Sequence, residues 1–176
     1  DLVRSRGLGD VYKRQVVLYA AIDEPTGPTV TAAGHPKPTI VLSHGYCLTS
    51  ECWVLQRRAL RRAGYRVVTW DQRGHGRSGK GAKVGYHIDQ LGKDLYAVIQ
   101  AAAPEGDLGL IGHSMGGMTI MALAESYPDV IRERTVAFGA IATSPGSLPL
   151  ANGGFVAATG KQVLERLGPS VFTGLS

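Results

Sequence analysis

The chain has 176 residues, 44% of them apolar, with a formal net charge of +5, five histidines and two cysteines. That length suits one globular domain with a core. No run approaches the ~18 consecutive apolar residues of a membrane span, and no signal-peptide pattern is visible. Cys47 and Cys52 are too few for a disulfide framework and no metal-ligand spacing occurs, so two reduced thiols in a cytoplasmic, metal-free protein are expected. The positive charge does not call for nucleic acid: Arg4, Arg6, Lys13 and Arg14 crowd the first 15 residues, and Arg57, Arg58, Arg61 and Arg62 read as the solvated face of one helix.

Residues 1–15, DLVRSRGLGDVYKRQ, do not fit the rest of the chain, since no strand or helix periodicity persists in them. They are set aside from fold reasoning as a non-native or frayed segment. Val16 to Ile22 reads as a strand, and Pro25, Gly27, Pro28, Gly34, Pro36 and Pro38 mark the loop after it. Thr39 to Leu42 is a short β-branched run, hence a buried strand, ending in Ser43, His44, Gly45 and Tyr46. Thr49 or Ser50 can cap a helix to about Ala63 with Trp53, Val54 and Leu60 inward, closed by Gly64. Tyr65 to Trp70 is the next strand, and a glycine-rich loop runs from Asp71 to Gly85. Ile88, Leu91, Leu95, Val98 and Ile99 recur at three- and four-residue steps and predict a helix over Ile88 to Ala102. Arg134 to Thr143 holds a further apolar strand, after which Pro, Gly and Asn dominate apart from a helical piece near Lys161 to Leu167. Strands alternating with helices predict an α/β fold, a mostly parallel sheet with its site at the carboxyl ends of the strands.

The stretch Leu108 to Met121, LGLIGHSMGGMTIM, carries the chemistry. An apolar run, Leu108 to Ile111, leads into Gly112, His113, Ser114, Met115 and Gly116, and helical spacing comes next. With 24 glycines in the chain, a Gly-x-Ser-x-Gly match alone is expected by chance in about one such chain in five. The strand before it and the helix after it carry the weight. A serine hydroxyl is a weak nucleophile and must stand clear where a base can reach it. A sharp turn does that, and the glycines let strand and helix pass close to the serine. The helix start also points unpaired N–H groups at the same place, which suits an oxyanion.

LSHGYCLTSECW, DQRGHGRS and GHSMGG, in that order and at these intervals, resemble the N-terminal half of an α/β-hydrolase-fold serine hydrolase over about Val16 to Pro149. The resemblance implies a cofactor-free enzyme in which Ser114 is the nucleophile. It implies an oxyanion hole from the backbone N–H groups of Met115 and Tyr46, with Gly112, His113, Gly116 and Gly117 supporting the turn. His44, Gly45 and Asp71 would shape the site, with Arg73, His75 and Ser78 structural beside them. The acid and the histidine of this family come after the serine in chain order, whereas His35, His44, His75, His87 and His113 all precede Ser114. The chain therefore reads as residues 1–15, a core over 16–149 and the start of a lid insertion over 150–176, without acid or base. The expected function is hydrolysis of a small-molecule carboxylic ester or related carbonyl through an acyl-enzyme. A haloperoxidase or perhydrolase on the same triad is the alternative, and a ligand-binding protein without catalysis is the reading from another class. The fragment itself is expected to be inactive, with an open apolar edge at its last strand and lost neighbours along the Ile120 and Leu123 helix face. Neither the substrate nor an oligomeric state can be read from the sequence.

Overall fold

The computed structural model describes residues 2–4, 16–81 and 86–144. The strands are β1 (Leu2–Arg4), β2 (Val17–Asp23), β3 (Thr39–Ser43), β4 (Val67–Trp70), β5 (Leu108–His113) and β6 (Thr135–Ile141). The helices are α1 (Val54–Arg62), α2 (Ile88–Ala102) and α3 (Met115–Ser126), with a 3-10 turn over Ser50–Trp53 and a π turn over Val130–Arg134. They form one six-stranded sheet in the order β1-β2-β4-β3-β5-β6. The neighbours from β4 through β3 and β5 to β6 are parallel, and β2 and β1 are antiparallel. Leu2–Arg4 thus pairs with β2 from within the segment set aside on sequence.

The two faces of the sheet explain the unbroken apolar strands. Val41 and Val68 point to one face with Leu18 and Trp70, against Leu95, Val98 and Ile99 of α2 and Ile120 and Leu123 of α3. Ile40, Leu42 and Val67 point to the other, against Trp53 and Leu60. Strands covered on both sides carry no polar alternation. Ile120 and Leu123 are fully packed, which corrects the expectation that this helix face loses neighbours: α2 and the sheet cover it within the chain. The two helices approach so closely that a Cβ on Gly92 would lie 2.8 Å from the Ala122 carbonyl carbon.

Two local readings change. The helix expected from Thr49 or Ser50 is divided. Thr49 caps the 3-10 turn by accepting a hydrogen bond from the Glu51 N–H, and the α-helix begins only at Val54. Trp53 is buried there, but Val54 is 39% exposed rather than inward, because the tighter turn rotates the next residue out. Gly64, at φ 87°, ends α1 as expected. The piece near Lys161 to Leu167 lies outside the described residues.

The chain leaves β3 for β4 on one side and later returns to β5 on the other. A right-handed crossover places α1 on one face and α2 on the opposite one. The order therefore reverses at β3, and the carboxyl ends of β3, β4 and β5 open onto one crevice. Ser43–Gly45, Asp71 and Ser114 all stand there.

Candidate active site

Ser114 joins β5 to α3 at φ 50°, ψ −117°. Such a conformation costs a non-glycine residue about 1–3 kcal/mol, so its surroundings must hold it. They do so from both sides: the Ser114 N–H donates to the Ile141 carbonyl at 2.8 Å, and Thr143 Oγ1 donates to the Ser114 carbonyl at 2.7 Å. The glycines of the turn are fixed by contact. A Cβ on Gly112 would sit 2.5 Å from the Gly116 carbonyl, and one on Gly116 would sit 2.1 Å from the Ser43 carbonyl oxygen. Gly117 is pressed likewise onto Thr143. Strand, turn and helix thus meet backbone to backbone, and the serine is left half-buried at the corner.

The loop after β3 lies against this corner. A Cβ on Gly45 would fall 3.3 Å from Ser114 Cβ and 2.7 Å from the His113 ring. Tyr46 is next and is 70% exposed, and Cys47 takes φ 58°. Among the described residues, no acceptor meets the backbone N–H of Tyr46 or of Met115. The Met115 N–H is one of the unpaired groups at the start of α3, where the helix dipole is positive.

Beneath the two loops lies a buried polar chain. The fully buried His44 ring donates from Nδ1 to the Gly45 carbonyl at 2.7 Å and accepts the Gln72 N–H on Nε2 at 2.9 Å. Both partners fix the neutral Nδ1–H tautomer. Burial lowers the pKa of His44, the hydrogen bond to Gly45 opposes this, and the neighbouring His75 adds to the lowering. The Gln72 side chain donates to the His44 carbonyl and accepts from Thr119 Oγ1 at 2.8 Å. Thr119 Oγ1 also lies 2.9 Å from the Met115 carbonyl, the first of α3.

Asp71 ties the loop after β4 together. Its carboxylate accepts the Ser50 N–H at 2.7 Å and the Arg77 N–H at 2.9 Å. Burial alone would raise its pKa, but the hydrogen bonds from Arg77 and Ser50 outweigh it and the pKa is lowered. Arg73 forms a buried two-pronged pair with Asp94 of α2, with Nη2 to Oδ1 at 2.6 Å. Ser78 Oγ donates to the Asp71 carbonyl and accepts the Tyr19 N–H. His75 donates to the Arg73 carbonyl and accepts the Cys47 N–H at 3.3 Å.

His44 and His75 have both ring nitrogens occupied, His35 and His87 are exposed, and the half-buried His113 ring lies against Gly45. Among the described residues, no side chain hydrogen-bonds Ser114 Oγ, and no cluster of three metal-ligating groups occurs. Both cysteines are free thiols, and no helix among the described residues is long and apolar enough to cross a membrane.

Sequence reasoning missed Gln72, Asp94, Thr119 and Thr143. Two of them left a signal. Asp94 falls three residues after Leu91 and four before Val98, inside the apolar stripe of α2, and Thr119 interrupts the apolar run of α3. A polar residue at a core position needs a buried partner.

A mixed, mostly parallel sheet with a serine on the strained turn from its central region into a helix defines an α/β-hydrolase-fold protein. Residues 34–172 match the family described as serine aminopeptidase, S33, and the chain belongs to that family. It is 35% identical over 92 residues to the bifunctional esterase/perhydrolase DCH of Acinetobacter calcoaceticus, an alignment covering 52% of this chain and 33% of that protein. It is 35% identical over 96 residues to the esterase PIR7B of Oryza sativa subsp. japonica, over 54% of this chain and 36% of the other. Among solved structures, a bromoperoxidase from Bacillus anthracis superposes with a TM-score of 0.68 at 25% identity, over 86% of this chain and 47% of that one. The chain thus covers about a third of the length of these curated relatives.

Proposed function

We propose that Ser114 is the nucleophile of a serine hydrolase acting on a carboxylic ester or related carbonyl of a small molecule. Its Oγ bonds to the carbonyl carbon, the carbonyl oxygen gains negative charge, and the N–H groups of Tyr46 and Met115 receive it. Collapse of this adduct breaks the bond to the alcohol, which leaves with the serine proton. Water then attacks the acyl-enzyme and releases the acid. The observation that carries the reading is Ser114 held at φ 50° on the strand-to-helix turn, with Gly45 against its Cβ. Two unpaired backbone donors beside it supply what a tetrahedral oxyanion needs, each worth about 3 kcal/mol in the transition state.

The triad needs a base and an acid. We infer that both come from outside residues 1–176, since the ring nitrogens of His44 and His75 are engaged structurally and the matched region is only about a third of each relative's length. On this reading residues 16–149 form the core, to which Leu2–Arg4 add an edge strand, residues 150–176 begin a lid and the protein is cytoplasmic. A second outcome of the same chemistry is favoured by the perhydrolase activity in the name of DCH and by the bromoperoxidase likeness. Hydrogen peroxide in place of water would release a peracid from the same acyl-enzyme.

A fluorophosphonate probe tests the core of this reading, because only an activated serine is labelled. The full-length protein should label at Ser114 and turn over a p-nitrophenyl ester, and Ser114→Ala should lose both. Labelling and turnover that survive Ser114→Ala would overturn it. Turnover with peroxide, read as peracid formation, separates the two outcomes.

A further inference from the structure

Three polar side chains, His44, Gln72 and Thr119, are fully buried on three different elements beneath the corner. They form one chain of bonds whose ends are the backbones of Tyr46's loop and of Met115's helix turn. Each bond but those of the Thr119 hydroxyl has only one chemically sensible sense. The Gln72 amide must face its NH2 to the His44 carbonyl and its oxygen to the Thr119 hydroxyl, because the flipped amide would set two carbonyl oxygens against each other. The single hydroxyl proton of Thr119 is shared between two carbonyl oxygens, those of Gln72 and of Met115. The imidazole of His44 donates one way and accepts the other. Gln72 thus holds His44 at two points, ring and carbonyl, and hands the strain of any movement to α3 through Thr119.

Apolar residues at 72 and 119 would leave the His44 carbonyl without the amide that donates to it, so part of the role of Gln72 is to satisfy that group. What the polar chain adds is register. The carbonyl of His44 belongs to the residue two before Tyr46, and the carbonyl of Met115 belongs to the residue whose N–H is the other donor. The chain therefore spans the two donor groups from behind.

We propose that Gln72 and Thr119 are positioning residues that fix the Tyr46 and Met115 N–H groups at the separation one oxyanion requires. This rests on the hydrolase reading of Ser114. The two residues touch no reacting atom. They act through His44 and Met115.

The test is made in the full-length protein with Thr119→Val and Gln72→Met, both close to the original shape, and with Thr119→Ser to return the hydroxyl. Steady-state hydrolysis of a p-nitrophenyl ester gives kcat and KM, a boronic acid gives affinity for a tetrahedral adduct, and urea unfolding reports the fold. Displacing a donor should lower kcat about tenfold or more while KM stays within about twofold. Boronate affinity should fall in parallel, and Thr119→Ser should recover most of the loss. If Thr119→Val does not fold, the same readings on Gln72→Met decide. A kcat within about twofold of wild type in folded variants overturns the proposal while leaving Ser114 as nucleophile, provided that Ser114→Ala is inactive. A loss of rate that tracks stability alone, with boronate affinity unchanged, also overturns it. Full turnover by Ser114→Ala removes both readings together.

Discussion

Thr143 Oγ1 holds the carbonyl oxygen of Ser114 at 2.7 Å, just beyond the end of β6. The same stretch supplies the Ile141 carbonyl that takes the Ser114 N–H. The peptide group before the strained serine is therefore set by the neighbouring strand, and the one after it is shared between Thr143 and the Gly117 and Met118 N–H groups of α3. Thr143→Val removes one of these bonds and leaves the Ser114 carbonyl less satisfied, a loss of about 1–2 kcal/mol. Urea unfolding of the full-length protein should show that loss, and fluorophosphonate labelling of Ser114 should slow. Unchanged stability with unchanged labelling would show that the turn holds itself.

Gly116 and Gly106 make a pair for testing why glycines occur here. A Cβ on Gly116 would lie 2.1 Å from the Ser43 carbonyl oxygen, and backbone cannot yield as a side chain does. Gly106 has φ 77° with nothing within 4 Å of its Cβ position. Gly116→Ala should cost more than about 4 kcal/mol or prevent folding, and Gly106→Ala about 1 kcal/mol from its left-handed backbone. Comparable losses from the two, measured by denaturant titration, would contradict this packing.

The pH dependence comes from His44. Burial lowers its pKa from the ordinary 6.5, although the Gly45 hydrogen bond opposes the shift and His75 assists it. Between its folded value and 6.5 the unfolded chain binds the proton and the folded chain does not, so stability rises with pH in that interval. The contribution is complete above pH 6.5 and declines as pH falls below it. At Asp71 burial is outweighed by the bonds from Arg77 and Ser50, the pKa is lowered from 3.8, and a further loss sets in only below about that value. NMR of the His44 ring should therefore show a mostly neutral imidazole at pH 6.5, where the unfolded chain is half protonated, and the unfolding midpoint should fall as pH drops below 6.5. A ring half or more protonated at pH 6.5 would refute the tautomer assigned to it.

β6 stands at the end of the sheet with Val136 60% and Ile141 46% exposed. An apolar edge strand invites pairing between molecules. The chain of residues 1–176 expressed alone should aggregate and fail to turn over an activated ester, and Val136→Lys should reduce light scattering at equal concentration. A soluble, cooperatively unfolding wild-type chain with Ser114-dependent turnover would contradict the inference that base and acid lie elsewhere.

The strands β3, β4 and β5 and the position of Ser114 were readable because each apolar run is short, is bounded by turn residues and has both faces covered, whereas β1 was missed because Leu2–Arg4 lie in the stretch set aside on sequence. Val41 and Leu42, one for each face, show why such strands have no alternation. The 3-10 start of α1 was not readable, since the spacing from Ser50 to Val54 fits either helix. Nor was the buried chain beneath the site. Gln72 sits in a loop motif where any polar residue looks solvated, and only the return of β4 beside β3 brings it under His44. The place of His44 after β3 was legible, but its tautomer required its two partners.

The parallel pairing of β3 with β5 has a consequence during synthesis. Roughly 65 residues separate the end of β3 from the start of β5, and a ribosome adding about 5–20 residues per second takes some 3–13 s to make them. Through that interval β3 can pair with β4 alone, and the edge that will receive β5 is unclaimed. Neither the loop that carries Tyr46 nor the ring of His44 has the helix turn of Met115 to work against until translation has passed Thr119. Any chaperone that shields nascent strands would meet this protein at that edge, between the emergence of Ser43 and that of Leu108.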